Sequence, residues 1–269
     1  MKRVIIYITA ILCISSSANA KDITSACAMS PSAITAGESL KYEAFFQWGA
    51  LYIDGADLET TVTNSSHRGI NSYKIFATAQ TIKTAKTFYQ LKDTFSVEVD
   101  ARTMEPLYYF EHDVERKWEC YYYYNFFPLP DGMSVDARKE VVSSNETLTH
   151  VQTYKECCPM DVLTLLYRIR CFDIESLKTG DKIWFDNYMF GGDNLPACIT
   201  YIKTEKIKLR RGAEVEAMKF QFSTAVEGTL FSKKNPVYIW IETAPAHRIV
   251  HAESKLTIGY VKMDILINN

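Results

Sequence analysis

Polar and apolar residues alternate through most of this chain with a period of two, the pattern of strands with one wet face. From Ser39 to Phe46, Leu40, Tyr42, Ala44 and Phe46 share a face. A turn around Gly49 to Gly55 leads to Asp57–Thr63, with Leu58, Thr60 and Val62 inward. The polar turn Asn64–Gly69 leads to Tyr73–Ala79. These segments read as antiparallel hairpins. Thr94–Asp100 sets Phe95, Val97 and Val99 against Thr94, Ser96, Glu98 and Asp100.

Leu107–Phe110 and Lys117–Phe127 are aromatic on both faces, the second through the run Tyr121 to Tyr124. Such strands are covered on both sides, or covered on one and facing a cavity on the other. Strands resume at Lys182–Phe190, Ala197–Leu209, Glu214–Phe222, Val237–Glu242, Arg248–Glu253 and Lys255–Ile265. In the last, the apolar face Leu256, Ile258, Tyr260 changes phase to Val261, Met263, Ile265 beside Gly259, which predicts a β-bulge.

One segment has helical spacing. Val162, Leu165, Leu166 and Ile169 fall at i, i+3, i+4 and i+7, one face of an α-helix predicted over Pro159–Phe172. Proline suits the first turn, and Asp161 lies where the positive end of the helix dipole favours an acid. Arg168 and Arg170 sit near the negative end. The prediction is a mainly β fold: a curved antiparallel sheet, a half-barrel or closed barrel, with one amphipathic α-helix packed against it.

The first twenty residues have another purpose. Lys2 and Arg3 precede an apolar run from Val4 to Cys13, and Ala18-Asn19-Ala20 supplies small residues at a cleavage point. This is a secretory signal cut after Ala20, too short to serve as a membrane anchor. The chain is expected in the periplasm or otherwise exported, soluble after cleavage. A lipid anchor at Cys13 fits less well, because Leu12 stands where a small residue is wanted. Residues 21–269 form a single β-rich domain, within the usual size of about 200–250 residues for such folds.

Composition narrows the partners. The net charge of −2 comes from interspersed acids and bases, so no field draws nucleic acid and no polybasic stretch meets a membrane surface. The 17 Tyr and 14 Phe suit half-buried strands. Six cysteines remain after Cys13: Cys27, Cys120, Cys157, Cys158, Cys171 and Cys198. An even number in an exported chain points to disulfides, in more pairings than sequence can choose among. No C-x-x-C is present, and the adjacent Cys157 and Cys158 point to opposite sides of an extended segment, which disfavours zinc.

The candidate chemistry is sparse. No nucleophile elbow, phosphate loop, dinucleotide fingerprint or H-E-x-x-H occurs, and no cofactor is implied. His247 and His251 flank a strand, which holds them about 13 Å apart, too far to chelate one ion. Glu98 and Asp100, about 7 Å apart on one strand face near Asp93, are the candidates for paired-carboxylate chemistry, against the plainer reading of a solvated face. Trp48, Trp118, Tyr122, Tyr124 and Trp240 are candidates to line an apolar or sugar-stacking groove, against the plainer reading of core packing. Tyr167 and Arg168, with Arg170, are candidates to hold an anionic head group at the helix end.

Several motifs resemble the bacterial family of unknown function DUF3108, exported proteins of Gram-negative cell envelopes. They are Gly37-Glu38-Ser39-Leu40-Lys41-Tyr42 with Trp48-Gly49, Asp93 to Asp100 with Pro106, Asp161 to Arg170, Val237-Tyr238-Ile239-Trp240-Ile241, and Ile258-Gly259-Tyr260-Val261-Lys262. Their order and spacing carry the resemblance. The chain departs from the family pattern at Glu242-Thr243-Ala244, where a more acidic turn is usual. The resemblance implies an exported β-rich envelope protein and brings no catalytic residues. The architecture also looks like the half-barrel of periplasmic lipoprotein carriers.

The reading is therefore a non-catalytic exported cell-envelope protein that binds a lipid-like, glycan or protein partner in an aromatic-lined groove. The alternatives are an envelope hydrolase built on Glu98, Asp100 or a histidine, and a structural subunit of an envelope complex marked by an exposed apolar patch.

Overall fold

A computed structural model describes residues 20–86, 90–115, 118–142, 147–224 and 236–267. The signal segment 1–19 lies outside them. Among the described residues fifteen strands form one sheet. In chain order they are β1 (Asp22–Thr24), β2 (Ser39–Trp48), β3 (Leu51–His67), β4 (Ile70–Thr81), β5 (Lys92–Asp100), β6 (Pro106–Glu115), β7 (Trp118–Leu129) and β8 (Gly132–Val142). Then come β9 (Thr147–Glu156), β10 (Lys182–Phe190), β11 (Asp193–Lys208), β12 (Glu214–Thr224), β13 (Val237–Glu242), β14 (Ile249–Lys255) and β15 (Tyr260–Ile265). The sheet order is β1-β10-β11-β12-β13-β14-β15-β2-β3-β4-β5-β6-β7-β8-β9. Every pair is antiparallel except β1 on β10.

The single α-helix among the described residues, α1 (Val162–Ile169), sits inside the curl of this sheet. It touches β5 and β10, which are far apart in the strand order, so the sheet must wrap around it. Side chains draw the two ends of the sheet together without strand pairing. Tyr124 Oη accepts from the Gly192 amide at 3.0 Å, Lys139 Nζ donates to Gly191 O at 3.0 Å, and Tyr154 Oη donates to Gly192 O at 2.8 Å. All three reach the β10–β11 turn from β7, β8 and β9.

The core divides around the helix. Leu163 and Tyr167 pack into a cluster with Val97, Tyr109, Tyr124 and Val135. Leu165 and Ile169 pack into another with Phe185, Tyr188, Ile199 and Phe220. A third is built on Leu40 and Tyr42 of β2, Ile265 of the paired β15 and Trp240 of β13.

The predicted strands are present, most of them longer than the alternation suggests. Three further strands occupy stretches where the sequence pattern predicts no element: the short β1 in the N-terminal lead, and β8 and β9. In β8 the alternation is regular, with Met133, Val135 and Ala137 buried; β9 is mostly exposed and polar, so its pairing rather than its pattern makes it a strand.

The helix is shorter than predicted. Asp161 is its N-cap, accepting from the Thr164 amide at 2.9 Å and the Thr164 hydroxyl at 2.6 Å, and Met160 before it bridges to Tyr188 instead of joining the first turn. The bulge predicted at Gly259 is a hairpin turn between β14 and β15. Gly259 has φ +75°, and a β-carbon there would strike the carbonyl of Gln47. The curvature comes instead from register shifts in five other pairs, among them Ala44/Phe45 in β2 and Glu98/Val99 in β5.

Candidate functional site

Between α1 and the concave face of the sheet lies an apolar cavity of about 190 Å³. The helix contributes Val162, Leu163, Leu166, Tyr167 and Arg170, at i, i+1, i+4, i+5 and i+8 and therefore on one side. The sheet contributes Leu40, Tyr42, Leu58, Ala77, Phe95 and Met263, with Thr60 and Thr78 as the hydroxyl-bearing wall residues. Most of these are inward positions of their strands, and small residues at Ala77 and Ala79 of β4 leave the space open.

Burial along the helix follows this geometry. Leu165 is 1% exposed and Ile169 fully buried, whereas Val162 and Leu166 stay half-buried because they face the cavity. The helical face predicted from spacing is thus divided between solid core and open space. Two apolar side chains left beside a void are short of contact partners, a cost that a bound apolar group removes.

One wall is electrostatically closed. Arg170 Nη2 and Nη1 donate to Glu38 Oε2 and Oε1 at 2.6 and 2.7 Å, and the guanidinium also reaches the carbonyls of Ala33 and Ala246. It lies 4.9 Å from the ring centre of Tyr167. Tyr167 Oη donates to Thr60 Oγ1 at 3.0 Å, and burial pushes its phenol up to about 12. Burial also raises the phenol of Tyr42. His247 Nδ1 is 2.8 Å from the Arg170 carbonyl. With the Arg170 charge matched by a two-pronged carboxylate, no free cation faces the cavity from this wall.

The structure does not bring the predicted site residues together. Tyr167 lines the cavity. Trp48 is 60% exposed at the end of β2, and Trp118 is exposed at the start of β7. Tyr122 and Tyr124 are core residues, with Lys139 Nζ 5.2 Å from the Tyr122 ring centre. Trp240 is buried, donates to Glu205 at 3.0 Å and lies under Lys219. Arg168 is 1% exposed and donates to the carbonyls of Cys27 and Ala26, so it clamps the N-terminal lead and presents no charge for a head group. Burial lowers its pKa to about 10. The aromatic groove expected from sequence is in fact a mainly aliphatic cavity whose aromatic residues are Tyr42, Phe95 and Tyr167.

Glu98 and Asp100 are also engaged elsewhere. Glu98 accepts from Ser65 and Ser72 hydroxyls at 3.0 and 2.7 Å, and Asp100 caps the following turn through the Arg102 amide at 2.7 Å. The acids that do converge are Asp93, Glu111 and Asp113. Burial, then the charge of Asp113, raises Asp93 to about 7 and also raises Glu111, which accepts from Tyr109 Oη at 2.7 Å. His251 is bonded to Asp264 at 2.5 Å, apart from His247.

Cys27 and Cys158 form a disulfide, with Cα atoms 4.6 Å apart, that ties the N-terminal lead to the approach to α1. Cys120, Cys157, Cys171 and Cys198 are free thiols. No helix among the described residues is long and apolar enough to cross a membrane.

A single sheet curled around one helix, with an apolar cavity between them, defines a half-barrel with an internal pocket. The chain belongs to the DUF3108 family, proteins of unknown function, whose profile matches residues 41–266. Every residue lining the cavity except Leu40 falls within that match. Among solved structures, the chain is similar to the crystal structure of a beta-barrel-like protein of domain of unknown function DUF1849 from Brucella abortus. The identity is 7% and the TM-score 0.49, covering 86% of this chain and 98% of that one. No curated protein matches the chain.

Proposed function

We propose that this is a non-catalytic, exported cell-envelope protein that holds the apolar chain of a lipid-like molecule between α1 and the concave sheet. The observation carrying this reading is the half-buried pair Val162 and Leu166 beside an open space walled by Leu40, Leu58, Phe95 and Met263. Pockets that take small molecules are concave and mainly apolar with few polar groups. The neutralised Arg170 supports an apolar tail at this wall and a head group elsewhere. A glycan is less well served, since sugars need many polar partners and Tyr167, Thr60 and Arg170 in this lining are already bonded within the protein.

The test uses cis-parinaric acid, a polyene fatty acid that fluoresces when removed from water. The natively purified protein, stripped of co-purifying lipid, is expected to enhance its emission at saturable concentration. Leu166→Trp, which fills the cavity, is expected to weaken uptake at least about tenfold, the effect of about 1.4 kcal/mol. Uptake that is absent, or unchanged in a folded Leu166→Trp protein, removes the basis of the reading.

A second reading, a structural subunit of an envelope complex, is favoured by one separate feature. Trp48, Leu51, Tyr52 and Ile53 at the β2–β3 hairpin are exposed, as are Ile258, Tyr260 and Val261 at the neighbouring β14–β15 hairpin. On that reading the native protein migrates in envelope extracts as a large particle that Leu51→Glu breaks down. Monomeric migration of the unaltered protein counts against it.

A further inference from the structure

The peptide nitrogen that follows Ala18-Asn19-Ala20 rests on a carboxylate. Lys21 N donates to Asp181 Oδ1 at 2.7 Å, while Oδ2 accepts from the Lys178 amide at 2.9 Å. Asp181 is only 3% exposed. The Lys21 carbonyl accepts from the Lys182 amide at 2.8 Å, and the chain continues directly into β1, in register with β10 from Asp22 opposite Lys182. On the other side of the bond, Ala20 packs close to Gly180. A β-carbon at Gly180 would lie 3.2 Å from the Ala20 methyl, and its φ of +92° already favours glycine.

The bonds from the Lys21 and Lys178 amides outweigh the cost of burial and, with the side chains of the same two lysines, hold the Asp181 carboxyl below its ordinary pKa, so the site already favours negative charge. The carboxylate gains more from a cation. We infer that Asp181 is a receptor for the chain end created by processing: when a signal peptidase cuts the Ala20–Lys21 bond, the new α-ammonium of Lys21 pairs with Asp181. In that hydrolysis one water is consumed and the C–N bond breaks. The water oxygen goes to the Ala20 carboxylate, and the two water protons go to the Lys21 nitrogen, making it an ammonium. The inference rests on the export reading above and extends it to a fixed site for the mature N-terminus. Its consequence is structural: β1, at one edge of the sheet, is held by an ion pair only in the processed chain.

The charged groups around this nitrogen are few. The side chains of Lys21 and Lys178 are cationic neighbours of Asp181, Lys182 and Asp22 follow on the paired strands, and Tyr201 is the titratable neighbour on β11. Asp181 is the anion in contact. An α-amine has an ordinary pKa of about 7.7–8.0 and should stand above that range here. Because the folded value is the higher, the stabilisation is complete below the ordinary value and is lost as pH rises through the folded one.

The test exports the full chain with its own leader and reads the N-terminus of the purified product by mass spectrometry. The α-amine is then acylated across a pH series, beside a free peptide of the sequence Lys21 to Ser25. The expected product begins at Lys21, and near pH 8 its amine reacts about tenfold more slowly than the peptide's, the equivalent of one pKa unit. In Asp181→Asn the rate returns to that of the peptide. A product beginning elsewhere overturns the inference while leaving export intact, as does a Lys21 amine that reacts as fast as the peptide's. An uncleaved chain would instead mark the failure of the export reading, and the inference would fall with it.

Discussion

Arg170 and Glu38 meet through two parallel hydrogen bonds, of 2.6 and 2.7 Å, on the wall of the cavity, with the arginine side chain 2% exposed and the glutamate 14%. The pair joins the residue that closes α1 to the segment entering β2. Removing one partner leaves the other charge buried and unmatched. Arg170→Met is therefore expected to cost about 3–5 kcal/mol in urea unfolding. Combining it with Glu38→Leu should recover much of the loss, because both charges are then gone. A double variant no more stable than the single one would show that the backbone bonds of Arg170 to Ala33 and Ala246 dominate.

Neighbouring leucines on α1 should behave differently. Leu165→Ala removes a side chain packed in solid core and is expected to cost roughly 2–5 kcal/mol. Leu166 already borders open space, so Leu166→Ala should cost clearly less and weaken cis-parinaric acid uptake. Equal destabilisation by the two substitutions, measured in thermal melts, would mean that the cavity closes in solution.

The disulfide closes a long loop, since Cys27 and Cys158 are 131 residues apart. Replacing both by alanine should cost about 2–5 kcal/mol. The Arg168 bonds to the Ala26 and Cys27 carbonyls remain to hold the lead in place. The melting temperature of the unaltered protein should fall on reduction, while that of the double variant should not respond to reductant.

His251 and Glu253 define a pH window for the β14–β15 seam. Burial opposes protonation of His251, but its bonds to Asp264 and Glu253 outweigh that and raise its pKa above the ordinary 6.5. The bond from His251, aided by Lys262, lowers Glu253 from 4.5 to about 2. The histidine contribution is complete below 6.5 and is lost as pH rises through its folded value. That of the glutamate is present above 4.5 and is lost as pH falls through about 2. The seam is thus most stable between those ordinary values. Titration of the His251 ring by NMR should give a midpoint above 6.5, and His251→Gln should flatten the alkaline side of the window.

The acids Asp93 and Glu111 have a linkage opposite to that of Glu253. Asp93, raised to about 7, and Glu111, also raised, keep protons in the folded state that the unfolded chain would release. Stability then falls as pH rises from the ordinary carboxylate range to the folded values. Glu111→Gln keeps an acceptor for Tyr109 and should raise the melting temperature at about pH 8 with little effect near pH 4. A loss of stability at both values would show that the Tyr109 bond needs the carboxylate.

What the sequence determined by itself was local and periodic. Alternation at Leu40, Tyr42, Leu58 and Val97 identified inward faces, because a pleated strand obliges residues two apart to share a side. The spacing of Val162, Leu165, Leu166 and Ile169 identified the helix in the same way, and the motif order identified the family. Only the tertiary structure decided which inward residues touch. Leu165 meets Phe185 and Tyr188 in solid core while Leu166 borders a void, because the two side chains face different strands of the surrounding sheet. No periodicity records a volume left unfilled, and Glu38 and Arg170 are 132 positions apart in a chain that gives no local sign of their pairing. The pairing of Cys27 with Cys158 and the burial of Arg168 follow from the same cause: both depend on where the N-terminal lead crosses α1, which is a property of the folded chain alone.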